Sequence, residues 1–379
     1  MKKVKFILSM AVLAGVGFSA CQSNSTKSAD ADSTATAADA LVRDSSANMN
    51  EIRPLGPAPD WAPGIKPQMQ AVMEKLASYK DKPIPELSAQ EARKNHTPTD
   101  AVMDLMKENN IPMPVMAVDT IGKEIPVPGG NIHLRIYTPK NVTGPSPIIV
   151  YYHGGGFVIA GIDVYDGSSK SLADQTGAIV VSVAYRLAPE HKFPVAHNDA
   201  FAAYQWVLKN AAALHGDPKR VAVAGESAGG NLAVNTAIKA RDSKVMLPTA
   251  ILAVYPVAGA DMNTPSYQKN AGAKPLDKPM MGWFVKNYLN NMEEAKDPRI
   301  NLVAANLKGL PPTTVITAEI DPLQSDGMML ADKLKGAGVK VDSKNYDGVT
   351  HEFFGMGAVV PEAKAAMEYA AVQLKTALK

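Results

Sequence analysis

Apolar and polar positions change rhythm several times along the 379 residues. Phe6 to Phe18 form an almost unbroken apolar run, whereas Gln22 to about Asn50 carry scarcely a bulky apolar side chain. Helical spacing then appears in Met69, Val72, Met73 and Leu76, and again in Val102, Leu105 and Met106, which predicts two N-terminal helices lying over the main fold. From Asn131 the period shortens. The β-rich runs HLRIY, PIIVYY, AIVVSVAY, RVAVAG, AILAVYP, TTVITAE and VKVDSKNY alternate with helical stretches near 200–210, 229–241, 328–335 and 363–378. The runs at Ile148 and Ile179 are nearly continuous apolar, as expected of strands covered on both faces. This alternation predicts an α/β fold: a mostly parallel central sheet with helices on both faces and an N-terminal helical cap. Residues 261–307 show no strand pattern but hold Trp283, Phe284 and Tyr288, and read as an insertion over the sheet edge that helps to wall a pocket.

The first apolar run follows Lys2, Lys3 and Lys5 and ends in small residues, the architecture of an export signal. It is too short to serve as a transmembrane span. Phe18-Ser19-Ala20-Cys21 resembles the bacterial lipobox, with phenylalanine where leucine is usual, so Cys21 is the expected lipidation site. The expected organisation is a signal peptide at 1–21, a tether at 22–55 too polar to bury surface that would offset its ordering entropy, and one domain at 56–379. Within that domain, 56–120 and about 261–307 contribute cap and pocket walls. The expected location is the cell envelope of a Gram-negative bacterium, periplasm or outer membrane, with membrane contact only through the lipid on Cys21.

Composition narrows the chemistry. Lys and Arg number 39 against 37 Asp and Glu, so nothing in the charge points to nucleic acid or an anionic surface. The single cysteine excludes an intramolecular disulfide and a Cys-based metal site.

In VAVAGESAGGNLA, a β-branched run breaks at Ser227, with Gly225 and Gly229 two residues to either side. G-x-S-x-G between a strand and a helix is the nucleophile elbow of the α/β-hydrolase fold, where the flanking glycines let strand and helix approach. In YYHGGGFVIAG, three glycines follow a buried strand without the Gly-Lys-Ser/Thr of a phosphate loop. Their reading is an oxyanion hole, the amides of Gly154 and Gly155 joining that of Ala228. A serine nucleophile needs a base, and of the seven histidines only His351 follows Ser227 in the chain, the order this fold requires. His96, His133, His191, His197 and His215 read as structural or exposed, and His153 as shaping its glycine loop. For the acid, position favours Asp321, just past the strand-like TTVITAE, over Asp326, which is expected to cap the following helix; Glu319 is placed inside the strand. Met280-Met281 and Met328-Met329 are candidates for an adaptable pocket lining or for core filling.

HGGGF, YRLAPEHKFP, GESAGGNLA, LPPTTVITAEIDPLQSDG and the segment around His351 together resemble the hormone-sensitive-lipase family of α/β-hydrolases in its bacterial esterase form, from about Leu87 to the C-terminus. The resemblance implies a triad of Ser227, Asp321 and His351, an oxyanion hole of Gly154, Gly155 and Ala228, and hydrolysis of small, short-chain acyl esters with no metal and no cofactor. It leaves the oligomeric state open. An amidase or peptidase with the same triad, or an idle fold serving as an anchored binding protein, are the alternatives. Two departures stand out: DPLQSDG where DPLRDEG is common, and Glu352 after the histidine where glycine is frequent.

Overall fold

Eight strands form one sheet in the order β1-β2-β4-β3-β5-β6-β7-β8. They are β1 (Val118–Val127), β2 (Gly130–Pro139), β3 (Ser146–Tyr152), β4 (Ile179–Ala184), β5 (Gly216–Glu226), β6 (Ile251–Val254), β7 (Thr313–Ile320) and β8 (Val341–Thr350). β3 to β8 run parallel to one another, and β2 is antiparallel to both β1 and β4. The computed structural model describes Met49 and residues 51–140 and 142–379. The export signal, Cys21 and the tether through residue 48 lie outside the described residues.

The period of two in the strands divides the core into two layers. Ile148, Val150, Tyr152, Val221, Val223, Ile251 and Ala253 belong to one apolar cluster, and their neighbours Ile149, Tyr151, Ala222, Ala224, Leu252 and Val254 to the other. Both faces of the sheet are thus covered, as the continuous apolar runs require.

Ten α-helices accompany the sheet among the described residues: α1 (Pro67–Ser78), α2 (Ala89–Ala92), α3 (Pro98–Glu108), α4 (Asp166–Thr176), α5 (Val195–Asn210), α6 (Ala228–Asp242), α7 (Pro265–Lys269), α8 (Lys278–Tyr288), α9 (Gln324–Gly336) and α10 (Pro361–Ala377). Met69, Val72 and Met73 of α1 and Val102, Leu105 and Met106 of α3 are buried in the same cluster as Leu172 of α4 and Ala363 of α10. α1 and α3 therefore join the apolar layer that covers this face of the sheet. α3 starts at a capping box in which Thr97 and Asp100 satisfy each other's backbone amides.

β1 and α4 were not visible in the sequence pattern. β1 has only Ile125 and Val127 buried, so its sequence reads as polar, and it exists by pairing along its length with β2. That hairpin is tied down by Arg186, which donates to the carbonyls of Pro128 and Gly129 and holds the fully buried Asp199 at 2.6 Å. α4 is also polar, with a narrow buried stripe of Ser168, Ser169, Leu172 and Ala173. Residues 261–307 leave an interior strand, β6, rather than the expected sheet edge. β8 extends beyond the expected VKVDSKNY, through Gly348 at φ 70°, to Thr350, so that strand leads directly into His351. Among the described residues no helix is long and apolar enough to cross a membrane.

Candidate active site

β5 delivers Ser227 and α6 begins at the next residue. Ser227 has φ 55° and ψ −117°, a conformation rare for a residue with a side chain. Its backbone is held on both sides: the amide donates to the Val254 carbonyl at 2.9 Å, and its carbonyl accepts from Asn231 and Val257, each at 3.2 Å. A serine preceding a helix ordinarily caps it, but this hydroxyl makes no cap hydrogen bond. The flanking glycines are required by space. A Cβ on Gly225 would lie 2.2 Å from the Gly229 carbonyl oxygen, and one on Gly229 would lie 1.9 Å from that of Tyr152.

The Ser227 hydroxyl faces His351 instead. His351 Nε2 lies 3.0 Å from Ser227 Oγ, and its Nδ1 lies 2.7 Å from Asp321 Oδ2. A carboxylate only accepts, so Nδ1 carries the proton and Nε2 keeps the lone pair toward the serine. Asp321 follows β7 and His351 follows β8, so all three side chains gather at the carboxyl ends of parallel strands. The second oxygen of Asp321 accepts the Leu323 amide at 2.8 Å, which leaves this fully buried carboxylate doubly anchored. Burial works against a charged His351, but the charge and hydrogen bond of Asp321, with Glu352 and Glu226 behind it, outweigh burial and hold it above the usual histidine range.

Asp326 is not part of this chain of contacts, and it is not the expected helix cap either. It lies within α9 and accepts the amides of Ala258 at 3.2 Å and Gly259 at 2.7 Å from the loop after β6. Burial, against those two hydrogen bonds, pushes its carboxyl up to about 7. Glu319 lies in β7 as expected, accepting from Lys269 and the Gly348 amide.

After β3 the chain turns sharply through 153–157. Gly155 has φ 96°, and a Cβ there would lie 2.1 Å from the Ile159 carbonyl oxygen. Its carbonyl accepts from Val158 and Ile159, closing the turn. Among the described residues, the Gly154 and Gly155 amides donate to no protein acceptor. Ala228, first in its helix, has no intrahelical acceptor for its own amide. His153 stacks on Tyr185 at 4.2 Å between ring centroids and contacts the Gly154 carbonyl at 2.7 Å, while the Tyr185 hydroxyl donates to the His153 carbonyl. Burial depresses the His153 imidazole to about 4, so it braces the loop as a neutral ring.

Ser227 and His351 open into a cavity of about 750 Å³. One wall comes from the N-terminal segment, through Met73, Leu76, Ile84 and Ala92; the other comes from the segment after β6, through Met280, Met281, Phe284 and Leu289. The walls are joined by the indole of Trp283, which donates to the Leu87 carbonyl at 2.9 Å. The first methionine pair thus lines the cavity, whereas Met328 is exposed on α9. Among the described residues no group of three or more His, Cys, Asp or Glu is placed to hold a metal ion.

Beneath Ser227, His351 and Asp321 lies an acidic layer that sequence reasoning did not assemble. Glu226 is buried and accepts from the hydroxyls of Tyr151 and Tyr255. The Tyr255 ring packs on His351 at 4.5 Å between centroids. Burial and the neighbouring Glu352, against those tyrosines, push the Glu226 carboxyl up to about 7. Tyr165 donates to Glu352, its hydroxyl 2.7 Å from each carboxylate oxygen. In the sequence these tyrosines read only as strand or loop aromatics.

Residues 149–355 match the family described as alpha/beta hydrolase fold. A carboxylesterase of Mycobacterium tuberculosis is 40% identical over 252 residues, 65% of this chain and 79% of the relative. An ethyl acetate hydrolase of Pseudomonas putida is 34% identical over 241 residues, 62% of this chain and 75% of the relative. Among solved structures, an esterase of Pyrobaculum calidifontis superposes with a TM-score of 0.75 at 36% identity, covering 83% of this chain and 98% of its own. A thermostable esterase of Pseudomonas putida gives 0.77 at 33% identity, covering 84% and 99%.

Proposed function

This chain belongs to the hormone-sensitive-lipase family of α/β-hydrolases and is a carboxylic ester hydrolase; on that premise we propose that it cleaves short-chain acyl esters through an acyl-enzyme on Ser227. The observation that carries the proposal is the continuous hydrogen-bonded line Asp321–His351–Ser227 at the elbow, beside three amides with no protein acceptor.

In the proposed reaction His351 Nε2 takes the Ser227 proton as Oγ attacks the ester carbonyl. The negative charge moves to the carbonyl oxygen, where the amides of Gly154, Gly155 and Ala228 would receive it; one such donor typically contributes ~10²- to 10³-fold in rate. The imidazolium, balanced by Asp321, returns its proton to the departing alcohol. Water then gives a proton to His351 as it attacks the acyl carbon; the C–Oγ bond breaks, His351 returns that proton to Ser227 Oγ, and the acid leaves. The apolar walls of the cavity fit an uncharged substrate, and the methionines lining it supply adaptable contacts. The lipid anchor at Cys21 and the envelope location belong to the same proposal and rest on the sequence alone.

The test is hydrolysis of nitrophenyl esters from acetyl to decanoyl by the parent and Ser227→Ala. Activity that peaks at short acyl chains and disappears in the variant is expected. Equal rates in both proteins, or none in either, would sink the proposal.

A further inference from the structure

Glu352 follows His351 directly, with φ 68°, in a left-handed conformation that glycine adopts freely and side-chain-bearing residues adopt under strain. The strain holds a carboxylate in an informative place. Glu352 lines the catalytic cavity, with its side chain only 20% exposed. One of its oxygens lies 3.9 Å from His351 Nε2, the nitrogen facing Ser227 and the one Asp321 does not reach. Tyr165 anchors the carboxylate from the loop before α4. That tyrosine is itself fixed close to the oxyanion loop, since a Cβ on Gly154 would lie 2.2 Å from its hydroxyl.

Resting on the serine mechanism above, we propose that Glu352 is a positioning residue that acts through His351, a second counter-charge that stabilises the imidazolium from its Nε2 side. Asp321 holds one nitrogen by a hydrogen bond; Glu352 faces the other through space, beside the path of the proton. The geometry fits that division. At 3.9 Å the carboxylate is too far to compete with Ser227 Oγ for the Nε2 proton, yet close enough for strong charge interaction in a buried site. Other groups facing this pair are Asp321, Glu226 at the elbow, the hydroxyls of Tyr151, Tyr165 and Tyr255, and Tyr185 beside the neutral His153. Asp321, Glu352 and Glu226 all favour a charged His351. Burial, with Asp321, holds the Glu352 carboxyl itself above its ordinary range, against His351 and Tyr165. The acid limb of activity therefore belongs to the coupled pair.

His351 must be neutral to accept the Ser227 proton, so a neighbouring negative charge that favours the imidazolium moves the acid limb of kcat/KM to higher pH. Removing the charge moves it down. The experiment follows kcat/KM for a nitrophenyl butyrate from about pH 4 to 9 for the parent, Glu352→Gln and Glu352→Gly, with Ser227→Ala beside them. The glutamine variant keeps the shape, while the glycine variant relieves the left-handed strain and so keeps the fold even if the glutamine variant does not. The expected result is an acid limb about 1–3 pH units lower in both charge-free variants. Limbs that coincide with the parent's, in a protein whose activity still depends on Ser227, would overturn the inference while leaving the serine mechanism standing. So would loss of all activity in both folded variants, because a charge acting through His351 modulates the base and does not replace it. Activity persisting in Ser227→Ala would remove the mechanism, and this inference with it.

Discussion

Gly229→Ala adds one methyl group where the structure has no room for it. Its carbon would lie 1.9 Å from the Tyr152 carbonyl oxygen, 2.5 Å from the carbonyl carbon and 2.6 Å from the His153 carbonyl oxygen, all backbone atoms. Neither partner turns aside as a flexible side chain would, since Tyr152 is paired on both sides, to Val183 of β4 and Gly225 of β5. Contact is restored only if the first turn of α6 withdraws by roughly 1 Å or more. That turn begins with Ala228, whose amide is one of the three proposed oxyanion donors, and it carries Ser227 with it. Overpacking of this kind costs about 1–3 kcal/mol of stability. The misplaced donor costs more in rate: a shift of about 1 Å at a reacting centre is worth on the order of 10²-fold. The loss should fall on kcat rather than KM, because the interaction strengthens only as the oxyanion forms. The adjacent Gly230→Ala is the graded comparison: its Cβ would meet Pro256 Cβ at 3.0 Å and both the Gly225 carbonyl oxygen and Pro256 Cα at 3.2 Å, a much smaller overlap that the helix preference of alanine partly offsets, so a smaller loss is expected. Steady-state kinetics on a short nitrophenyl ester, with thermal melts of both variants, provide the measurement. A Gly229→Ala enzyme with parental kcat and melting temperature would refute the steric account of the elbow.

Asp321→Asn should lower kcat by roughly 10⁴-fold with little change in KM, because an amide in place of the carboxylate stabilises the wrong imidazole tautomer; steady-state kinetics on the same ester would show it, and a loss of less than tenfold would point to another acid. Asp326→Asn addresses stability. The folded carboxyl titrates near 7 against an ordinary value of 3.8, so its stabilising contribution is complete below 3.8 and is lost as pH rises through about 7. Relative to the parent, the asparagine variant should thus gain stability between pH 5 and 8, by a few kcal/mol in order of magnitude, and paired thermal melts at the two pH values that fail to diverge would count against the buried-acid reading.

The interior strands from β3 to β7 were legible because burial on both faces leaves continuous apolar runs such as PIIVYY and AIVVSVAY, whereas the edge strand β8 showed only in its first residues, VKV. Ser227 was equally legible, since only glycine fits at 225 and 229. β1 and α4 were not, because one is held by backbone pairing and the other buries only a narrow stripe of small residues, and neither leaves an apolar period. Asp321 and Asp326 differ by a single turn of structure: one points to His351 and the other to the loop at Ala258, a choice that position along the chain only ranked. The Glu226–Tyr151–Tyr255 and Glu352–Tyr165 contacts join residues 29 to 187 positions apart, and no local pattern announces them. In the sequence Glu352 was only a departure from glycine; its backbone angle and its distance from Nε2 supply the physical meaning.

The two walls of the cavity, clasped at Trp283 and Leu87, contain none of the proposed triad or oxyanion residues and no strand of the sheet. Substitutions at cavity-facing positions of either wall can therefore alter which acyl and alcohol groups are admitted while every proposed triad and oxyanion residue stays in place. Substrate range is in this sense a separately heritable trait: a lineage can drift to new esters by remodelling two peripheral segments while the reaction chemistry stays under unchanged selection.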